Sequence, residues 1–446
     1  MRSIGSAFQK LEGWLESFTV EVFASVLNPK WISDVLEASG RKTQRERKLP
    51  APFTVWLVIA MAFYRNLSIN NILNRMGNVL GVGSLWEGGE TPTSTSVAEA
   101  RDRVGFGPLR LLVEEFRQWI LARHQEAMSW KGMLLVVLDG TTFKVPDSDE
   151  NCRRFGLPGS SRGRAAYPQM RALFLVSARL RFILGALFAP YDRAEIHLAL
   201  RMIPWVPPGS LVILDRNFVA WQFLVALKNA GSHFLIRAKK GMVGRTLAVL
   251  GPGDRLVEMK IHPPARKLAP GMPKTNVVRE ISAKVKGILF RYFTTLLEPS
   301  SYRTVELVLL YAERWQEEIA LDEIKTHQCG YTTVNRPVIF RCKTSRRVLQ
   351  EAYGLVLAYN LVRSLMTQAA FKHQVPPLRI SFVDSLERIR SAALLMAAAP
   401  TLRLPTIFED LLHSMSLCLV PQRRRENPRE VCVKMSNYRL KRKKAS

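Results

Sequence analysis

Residues 133–140 read Met-Leu-Leu-Val-Val-Leu-Asp-Gly, in which six apolar residues run without interruption into a carboxylate and a glycine. An unbroken apolar run of this length is typical of a central strand that is buried on both faces of a sheet. The shorter run Leu211–Leu214 repeats the pattern and is followed by Asp215. Strand patterns of this kind alternate with helical patterns farther along the chain, and together they predict an α/β fold.

Asp139 and Asp215 each follow the last apolar residue of a predicted strand. If the two strands are parallel neighbours, these carboxylates lie side by side where ligands of open α/β sheets gather. Carboxylate oxygens suit Mg²⁺, and two such ions can activate the attacking oxygen and stabilise the leaving oxygen of a phosphoryl displacement. The alternative is that each aspartate is a turn former or the N-cap of a following helix.

Residues 311–325 read Tyr-Ala-Glu-Arg-Trp-Gln-Glu-Glu-Ile-Ala-Leu-Asp-Glu-Ile-Lys and form the segment that says most about function. At about 100° per residue, four polar side chains fall within an arc of roughly 60° on one helix face: Tyr311, Arg314, Glu318 and Lys325. Such a stripe predicts one wall of a site that cuts or joins nucleic acid, although a solvated helix face is the alternative. Asp322 lies one turn after Glu318, and periodicity does not choose between these two carboxylates.

The chain has 446 residues and a strong basic excess: 65 Lys and Arg residues against 37 Asp and Glu residues, a net charge of +28 at pH 7. This excess predicts a polyanionic partner, for which DNA or RNA is the first candidate. The longest apolar run, Val55–Phe63, is too short to span a bilayer, so we expect no membrane segment. Five scattered cysteines without zinc-site spacing favour a reduced, cytoplasmic location.

Changes in periodicity along the chain predict four regions. Residues 1–125 read as an all-helical domain, and residues 126–375 alternate between strands and helices. Within the second region, residues 241–305 are rich in Gly, Pro and basic residues and predict a β-rich insertion. Three segments in or beside it read as strands: Arg255–Ile261, Ile288–Thr295 and Thr304–Leu310. Residues 376–420 predict further helices, and residues 421–446 are a basic tail suited to non-specific phosphate contacts.

A short helix is predicted after the Ser/Thr-rich stretch 93–96, which follows Pro92 and is a typical helix start. This helix carries Arg101 and Arg103, and its basic side chains suit a helix that enters the major groove of DNA. The alternative is an ordinary capped surface helix. Both arginines are therefore candidate DNA contacts.

Three motifs together resemble the DDE transposases of bacterial insertion sequences: Asp139-Gly140-Thr141, Asp215-Arg216-Asn217-Phe218 and the Tyr-(2)-Arg-(3)-Glu-(6)-Lys signature that starts at Tyr311. The signature is similar to that of the insertion-sequence-four-type branch of this family. The resemblance implies an RNase-H-like catalytic core with a β-rich insertion, a helical N-terminal DNA-binding domain over residues 1–125 and a helical, basic C-terminal region. The signature spacing also favours Glu318 over Asp322.

The resemblance assigns roles to the candidate site residues. It implies that three carboxylates bind divalent metal, Mg²⁺ with Mn²⁺ as a substitute: Asp139, Asp215 and Glu318. It implies that three further side chains contact the phosphate backbone of the element end: Tyr311, Arg314 and Lys325. The implied reaction is hydrolysis at the terminal inverted repeats to expose a 3′-OH, which then attacks target double-stranded DNA in cut-and-paste transposition.

The resemblance further implies a homodimer that brings two element ends together, with residues 376–420 as a possible dimerisation region. A cytoplasmic, nucleoid-associated location follows from the DNA partner. Two alternatives stay open: an RNase-H-fold nuclease that cuts without joining strands, and an inactive or domesticated DNA-binding protein of the same fold.

Overall fold

The computed structural model describes most of the chain, and the residues it describes are 26–43, 49–79, 92–160, 163–267, 271–285, 287–329 and 340–421. They fall into two compact units. The helical unit comprises Met1–Trp119, Phe143–Met170 and Asp322–Ser446, and the sheet unit comprises Ile120–Thr142 and Arg171–Leu321. The predicted basic tail lies outside the described residues, apart from Pro421.

Twelve strands occur in the described part of the chain, and ten of them form one sheet. In chain order they are β1 Ser129–Trp130, β2 Met133–Lys144, β3 Gly159–Ser160, β4 Gly163–Arg164, β5 Gln169–Ser177, β6 Ile183–Pro190, β7 Leu211–Leu214, β8 His233–Arg237, β9 Arg245–Gly251, β10 Asp254–Lys260, β11 Thr275–Val285 and β12 Ile288–Thr294. β3 and β4 form a separate two-stranded sheet. The remaining ten make the fold a mixed α/β fold around a central sheet.

The central sheet has the order β6-β5-β2-β7-β8-β12-β11-β10-β9, and β1 pairs with β2. β2, β7 and β8 are parallel, and the register pairs Leu138 with Leu214 and Leu214 with Ile236. All four residues of β7 are buried, as are Met133–Leu138 of β2. The prediction that the two apolar runs are neighbouring, parallel and buried strands is therefore confirmed.

Fourteen α-helices occur among the same described residues. They are α1 Pro29–Ala38, α2 Ala51–Phe63, α3 Ile69–Val79, α4 Ser94–Val104, α5 Gly107–His124, α6 Asp149–Phe155, α7 Glu195–Met202, α8 Trp221–Asn229, α9 Pro263–Lys267, α10 Thr304–Tyr311, α11 Trp315–Asp322, α12 Ser345–Lys372, α13 Phe382–Ala398 and α14 Leu404–Leu417. A π-helix, Glu323–Gln328, follows α11. None of the described helices is long and apolar enough to cross a membrane.

The segment predicted as a β-rich insertion extends the central sheet. β9 to β12 form an antiparallel meander that joins β8 through the pair Tyr292–Arg237. The strand prediction for Thr304–Leu310 is wrong, because these residues begin α10. Glu306 Oε2 accepts a hydrogen bond from the backbone N–H of Arg303 at 3.3 Å, which caps the helix. Sequence pattern alone favoured a strand because this stretch is mostly apolar and contains β-branched residues.

A buried ion pair joins the insertion to the start of α10. Arg279 is fully buried, and its Nε and Nη2 donate to the two carboxylate oxygens of Asp254 at 2.8 and 2.5 Å. Thr304 Oγ1 donates to Asp254 Oδ2 at 2.7 Å, and Arg279 Nη1 donates to the carbonyl of Tyr302 at 2.7 Å. The meander therefore fixes the point at which the helices of the 311–325 signature begin.

The helical unit is built around α12, which is buried along nearly its whole length and packs on α2, α13 and α14. Gly354 permits the close approach, since a Cβ there would lie 2.8 Å from Val58 Cγ1. A helix that is buried on all sides needs packing partners on every side. Helices of the predicted N-terminal and C-terminal regions supply these partners and belong to one compact unit.

The prediction that Arg101 contacts DNA is wrong for this structure. The start of α4 is as predicted, with Thr93 Oγ1 accepting from the N–H of Ser96 at 3.2 Å. The Arg101 side chain, however, is 2% exposed, donates to Gln350 Oε1 at 2.7 Å and lies 3.6 Å from Glu351. Arg103 is half-buried, and its DNA contact stays a prediction.

Glu351 is the centre of this buried cluster. Arg65 Nη1 lies 3.0 Å from Glu351 Oε2, and Arg101 Nη2 lies 3.6 Å from the other carboxylate oxygen, Oε1. Burial alone would raise the pKa of Glu351, but the two guanidinium groups outweigh burial and hold the pKa below its usual value. One carboxylate therefore neutralises cations from two separate parts of the N-terminal region.

We expect Glu351→Gln to lower the free energy of unfolding by about 3–5 kcal/mol, because it leaves two buried guanidinium groups without a counter-ion. Urea unfolding followed by circular dichroism measures this change. The matched control is Glu37→Gln, which breaks an exposed ion pair with Lys42 and should cost less than about 1 kcal/mol. Equal effects of the two substitutions would contradict the assigned role of Glu351.

Candidate active site

Asp139 and Asp215 lie next to each other in the sheet unit. β2 and β7 are paired up to Leu138 and Leu214, so the next residue of each strand carries a carboxylate at the same level. β2 does not end at Asp139 as predicted but continues to Lys144. Its pairing with β7, however, ends at Leu138, directly before Asp139. Asp215 precedes a 3₁₀ turn, but its side chain makes no capping hydrogen bond, which argues against the N-cap alternative.

The segment with the four-residue signature is not one continuous α-helix. Tyr311 ends α10, a 3₁₀ turn spans Ala312–Arg314, and α11 carries Glu318 before the π-helix begins. Side chains three residues apart eclipse each other in a 3₁₀ turn. Tyr311 and Arg314 therefore lie on the same side of the segment, as they would on a continuous α-helix, although a 3₁₀ turn connects them.

Arg314 connects the carboxylate of Glu318 on α11 with that of Asp139 on β2. Its Nη2 lies 2.6 Å from Glu318 Oε1, and its Nη1 lies 3.5 Å from Asp139 Oδ2. Burial would lower the pKa of Arg314, but its contact with Glu318 outweighs burial and raises it. A charged guanidinium thus bridges two of the three predicted metal ligands.

The pKa of Asp139 is raised above its usual value. Burial is the main cause, and the charge of Glu195 adds to it. The backbone N–H of Gly140, which donates to Asp139 Oδ1 at 2.7 Å, and the nearby Arg314 act in the opposite direction. A poorly solvated carboxylate of this kind is stabilised in its charged form by a cation.

The sequence analysis missed Glu317, which precedes Glu318 and is fully buried. Burial, followed by the charge of Asp139, raises the pKa of Glu317 to about 9. This shift favours the neutral, protonated form of the Glu317 carboxyl group. Helical spacing gave the only signal for it, since Glu317 lies three residues before Ala320 on the buried side of α11.

Tyr311 contacts the protein at the strand end. Its hydroxyl donates to the carbonyl of Leu214 at 3.2 Å, and its ring lies 4.8 Å from that of Tyr292. Burial raises the pKa of the Tyr311 phenol well above its usual value. The hydroxyl thus ties the end of α10 to the residue before Asp215, and its predicted contact with phosphate stays a prediction.

Lys325 belongs to the helical unit. It lies in the π-helix, and its ammonium group is 5.1 Å from the centre of the Phe143 ring. Asp322, the competing carboxylate, accepts a hydrogen bond from Thr326 Oγ1 at 2.6 Å and lies 3.5 Å from His327 Nε2. These contacts give Asp322 partners within its own segment.

The carboxylates of the sheet unit suit a hard divalent cation. Asp139, Asp215 and Glu318 offer only oxygen donors, the type that such cations prefer. Within the described ranges, no group of three or more His, Cys, Asp or Glu side chains is arranged so that it could hold a metal ion. Arg314 instead places a positive charge between Asp139 and Glu318. The donor chemistry suits a divalent cation, but such a cation would have to displace the Arg314 guanidinium.

Comparison with known families accounts for most of the sequence. Residues 17–114 match the family described as "Insertion element 4 transposase N-terminal", and residues 130–361 match the family described as "Transposase DDE domain". The chain is 30% identical over 413 residues to the transposase InsG for insertion sequence element IS4 of Escherichia coli (strain K12), with 91% of this chain and 90% of that protein covered. The chain belongs to the insertion-element-4 family of DDE transposases.

Among solved structures, this transposase is similar to the synaptic complex of the piggyBac transposase with hairpin DNA. The match covers 96% of this chain and 87% of that chain, at 12% identity and a TM-score of 0.40. The family membership itself establishes that the protein is a DNA-transposing enzyme, and its DDE domain implies dependence on a divalent metal.

We expect Tyr311→Phe to lower the free energy of unfolding of the transposase by about 1 kcal/mol, because it removes the hydrogen bond to Leu214. The salt dependence of binding to element-end DNA, measured by fluorescence anisotropy, should stay unchanged. The control is Tyr302→Phe, which removes another hydroxyl from the sheet unit. Element-end binding weakened by about 10-fold or more in Tyr311→Phe, but not in Tyr302→Phe, would instead support the phosphate contact, because a hydrogen bond to a charged group contributes about 1.5–3 kcal/mol.

Proposed function

We propose that this transposase binds the terminal inverted repeats of its element, hydrolyses the ends to 3′-OH groups and joins them to target DNA by cut-and-paste transposition. The observation that carries the proposal is the placement of Asp139 beside Asp215, with Glu318 connected to Asp139 through Arg314. This arrangement has the strand, strand and helix origins that an RNase-H-like catalytic core requires. The strand order β6-β5-β2-β7-β8 supports such a core.

Asp139, Asp215 and Glu318 would hold Mg²⁺, with Mn²⁺ as a substitute. When bound, two such ions supply activation of the attacking oxygen and stabilisation of the leaving oxygen. The half-buried position of the three carboxylates limits their solvation, which strengthens their attraction for a cation. Arg314 would release a carboxylate to the cation and pair its planar guanidinium with a DNA phosphate.

Contacts to DNA would come from basic side chains. The net charge of +28 supplies the sequence-independent attraction, and Lys325 and Arg103 are proposed phosphate contacts. The region that matches the N-terminal transposase family would recognise the inverted repeats. We propose in addition that the protein acts as a homodimer on two ends and is located in the cytoplasm with the nucleoid.

Strand joining distinguishes this function from that of a nuclease with the same fold. The substrate is labelled DNA from the two flanks of the gene, mixed with a plasmid target and Mg²⁺. A transposase gives cleavage at matching positions of both flanks and a product joined to the plasmid. Cleavage without joining would indicate a nuclease, and binding without any metal-dependent product would indicate an inactive DNA-binding protein.

We expect Glu318→Gln to reduce cleavage and joining by more than about 100-fold, because it removes an anionic metal ligand and keeps the size of the side chain. Binding to the element end should stay within a few-fold of wild type, since the basic surface is unchanged. Gel assays of the labelled flanks and of their complexes measure both quantities.

The matched control is Asp322→Asn, which neutralises the carboxylate one turn later on the same segment. This variant should retain cleavage within a few-fold of wild type. If Asp322→Asn abolished cleavage and Glu318→Gln did not, the third metal ligand would be Asp322. If both variants cut normally, the helix would supply no ligand and the proposed site would be wrong.

A further inference from the structure

Gly140 lies against a carboxylate that no sequence motif indicated. A Cβ atom at Gly140 would be 2.7 Å from Oε1 and 2.8 Å from Cδ of Glu195, closer than real Cβ contacts come. The Glu195 carboxylate thus fills the space that a side chain at position 140 would take, and a larger residue there would displace it. Since Gly140 directly follows Asp139, Glu195 is located beside one of the three proposed metal ligands.

Arg171 holds the Glu195 carboxylate in place. Arg171 Nη1 donates to Glu195 Oε1 at 2.6 Å, while Nε and Nη2 donate to the carbonyl of Tyr191 at 3.0 and 2.8 Å. The guanidinium is therefore anchored on the backbone and orients one oxygen of Glu195. Within the described part of the chain, Arg171 is the hydrogen-bond partner of Glu195 Oε1, and no partner is found for Oε2.

Glu195 is the first residue of α7, and its carboxylate lies against the backbone of β2 at Gly140. Carboxylates that lie near one another repel, and one divalent cation stabilises them together.

We propose that Glu195 is a fourth acidic residue of the metal site and that it helps Asp139 to hold the divalent cation. This inference rests on the proposed function, since it assumes that Asp139 is a metal ligand. Arg171 then serves as a positioning residue, because outer hydrogen bonds fix the orientation of ligating carboxylates. The number of anionic ligands sets the affinity of such sites for hard cations.

The test measures Mn²⁺ binding to the full-length protein on an element-end duplex, from the electron paramagnetic resonance signal of free Mn²⁺, and needs no turnover. Glu195→Gln keeps the shape of the side chain and removes its charge. We expect its Mn²⁺ affinity to fall by about 10-fold or more, within the range found for residues around metal ligands. Cleavage by this variant should recover at high Mn²⁺ concentration.

The control is Asp192→Asn, which removes an exposed charge three residues earlier and should leave Mn²⁺ affinity within about twofold of wild type. Arg171→Gln provides a second variant that keeps the Glu195 carboxylate and removes its anchor. It should weaken Mn²⁺ binding several-fold. Thermal unfolding of all three variants identifies any change that reflects loss of the fold.

Each outcome decides the inference. Wild-type affinity in folded Glu195→Gln would overturn it, as would an equal loss in Asp192→Asn, because the effect would then be one of general charge. If the wild-type protein bound no Mn²⁺, the proposed metal site itself would be wrong, and the inference would fail with it. Metal binding and cleavage by wild type, with weakened Mn²⁺ binding in Glu195→Gln and Arg171→Gln but not in Asp192→Asn, would establish the fourth carboxylate.

Discussion

The parallel pairing of β2 with β7 is the constraint on which the candidate site depends. The pairing stops at Leu138 and Leu214, and both strands are buried up to that point, so the next residue of each strand is brought to the same level. Burial of both faces fixes the register, because a slip of one residue would turn every side chain to the opposite face. Asp139 and Asp215 are adjacent for this reason.

Glu318 lies near the ends of the paired segments of β2 and β7 because α10 and α11 are held in place at several points. Arg279 and Asp254 fix the start of α10, and the Tyr311 hydroxyl fixes its end on the carbonyl of Leu214. Farther along, Arg181 donates to the side chain of Gln316 at 2.8 Å. The β-rich insertion therefore has a structural role in the site, since one of its strands supplies the arginine that positions the helix.

The sequence was sufficient for the features that depend on local patterns. Unbroken apolar runs predicted β2 and β7, whereas the choice of Glu318 over Asp322 from the motif spacing stays a prediction. The buried position of Arg101 was not predictable, because its partner Gln350 lies 249 residues away. Glu195 was also missed, since nothing near it in sequence shows that it packs against Gly140. Side chains whose environment is made by distant segments carry no local signal.

The central claim is that Asp139 and Asp215 together bind a divalent cation. Substitution of Asp215 by cysteine tests it most directly. A thiolate binds Mg²⁺ poorly and softer ions well. For Asp215→Cys, the account predicts that cleavage and joining of the labelled flanks are lost in Mg²⁺ and restored in part by a softer ion such as Cd²⁺. Full activity of a folded Asp215→Cys protein in Mg²⁺ would contradict the account.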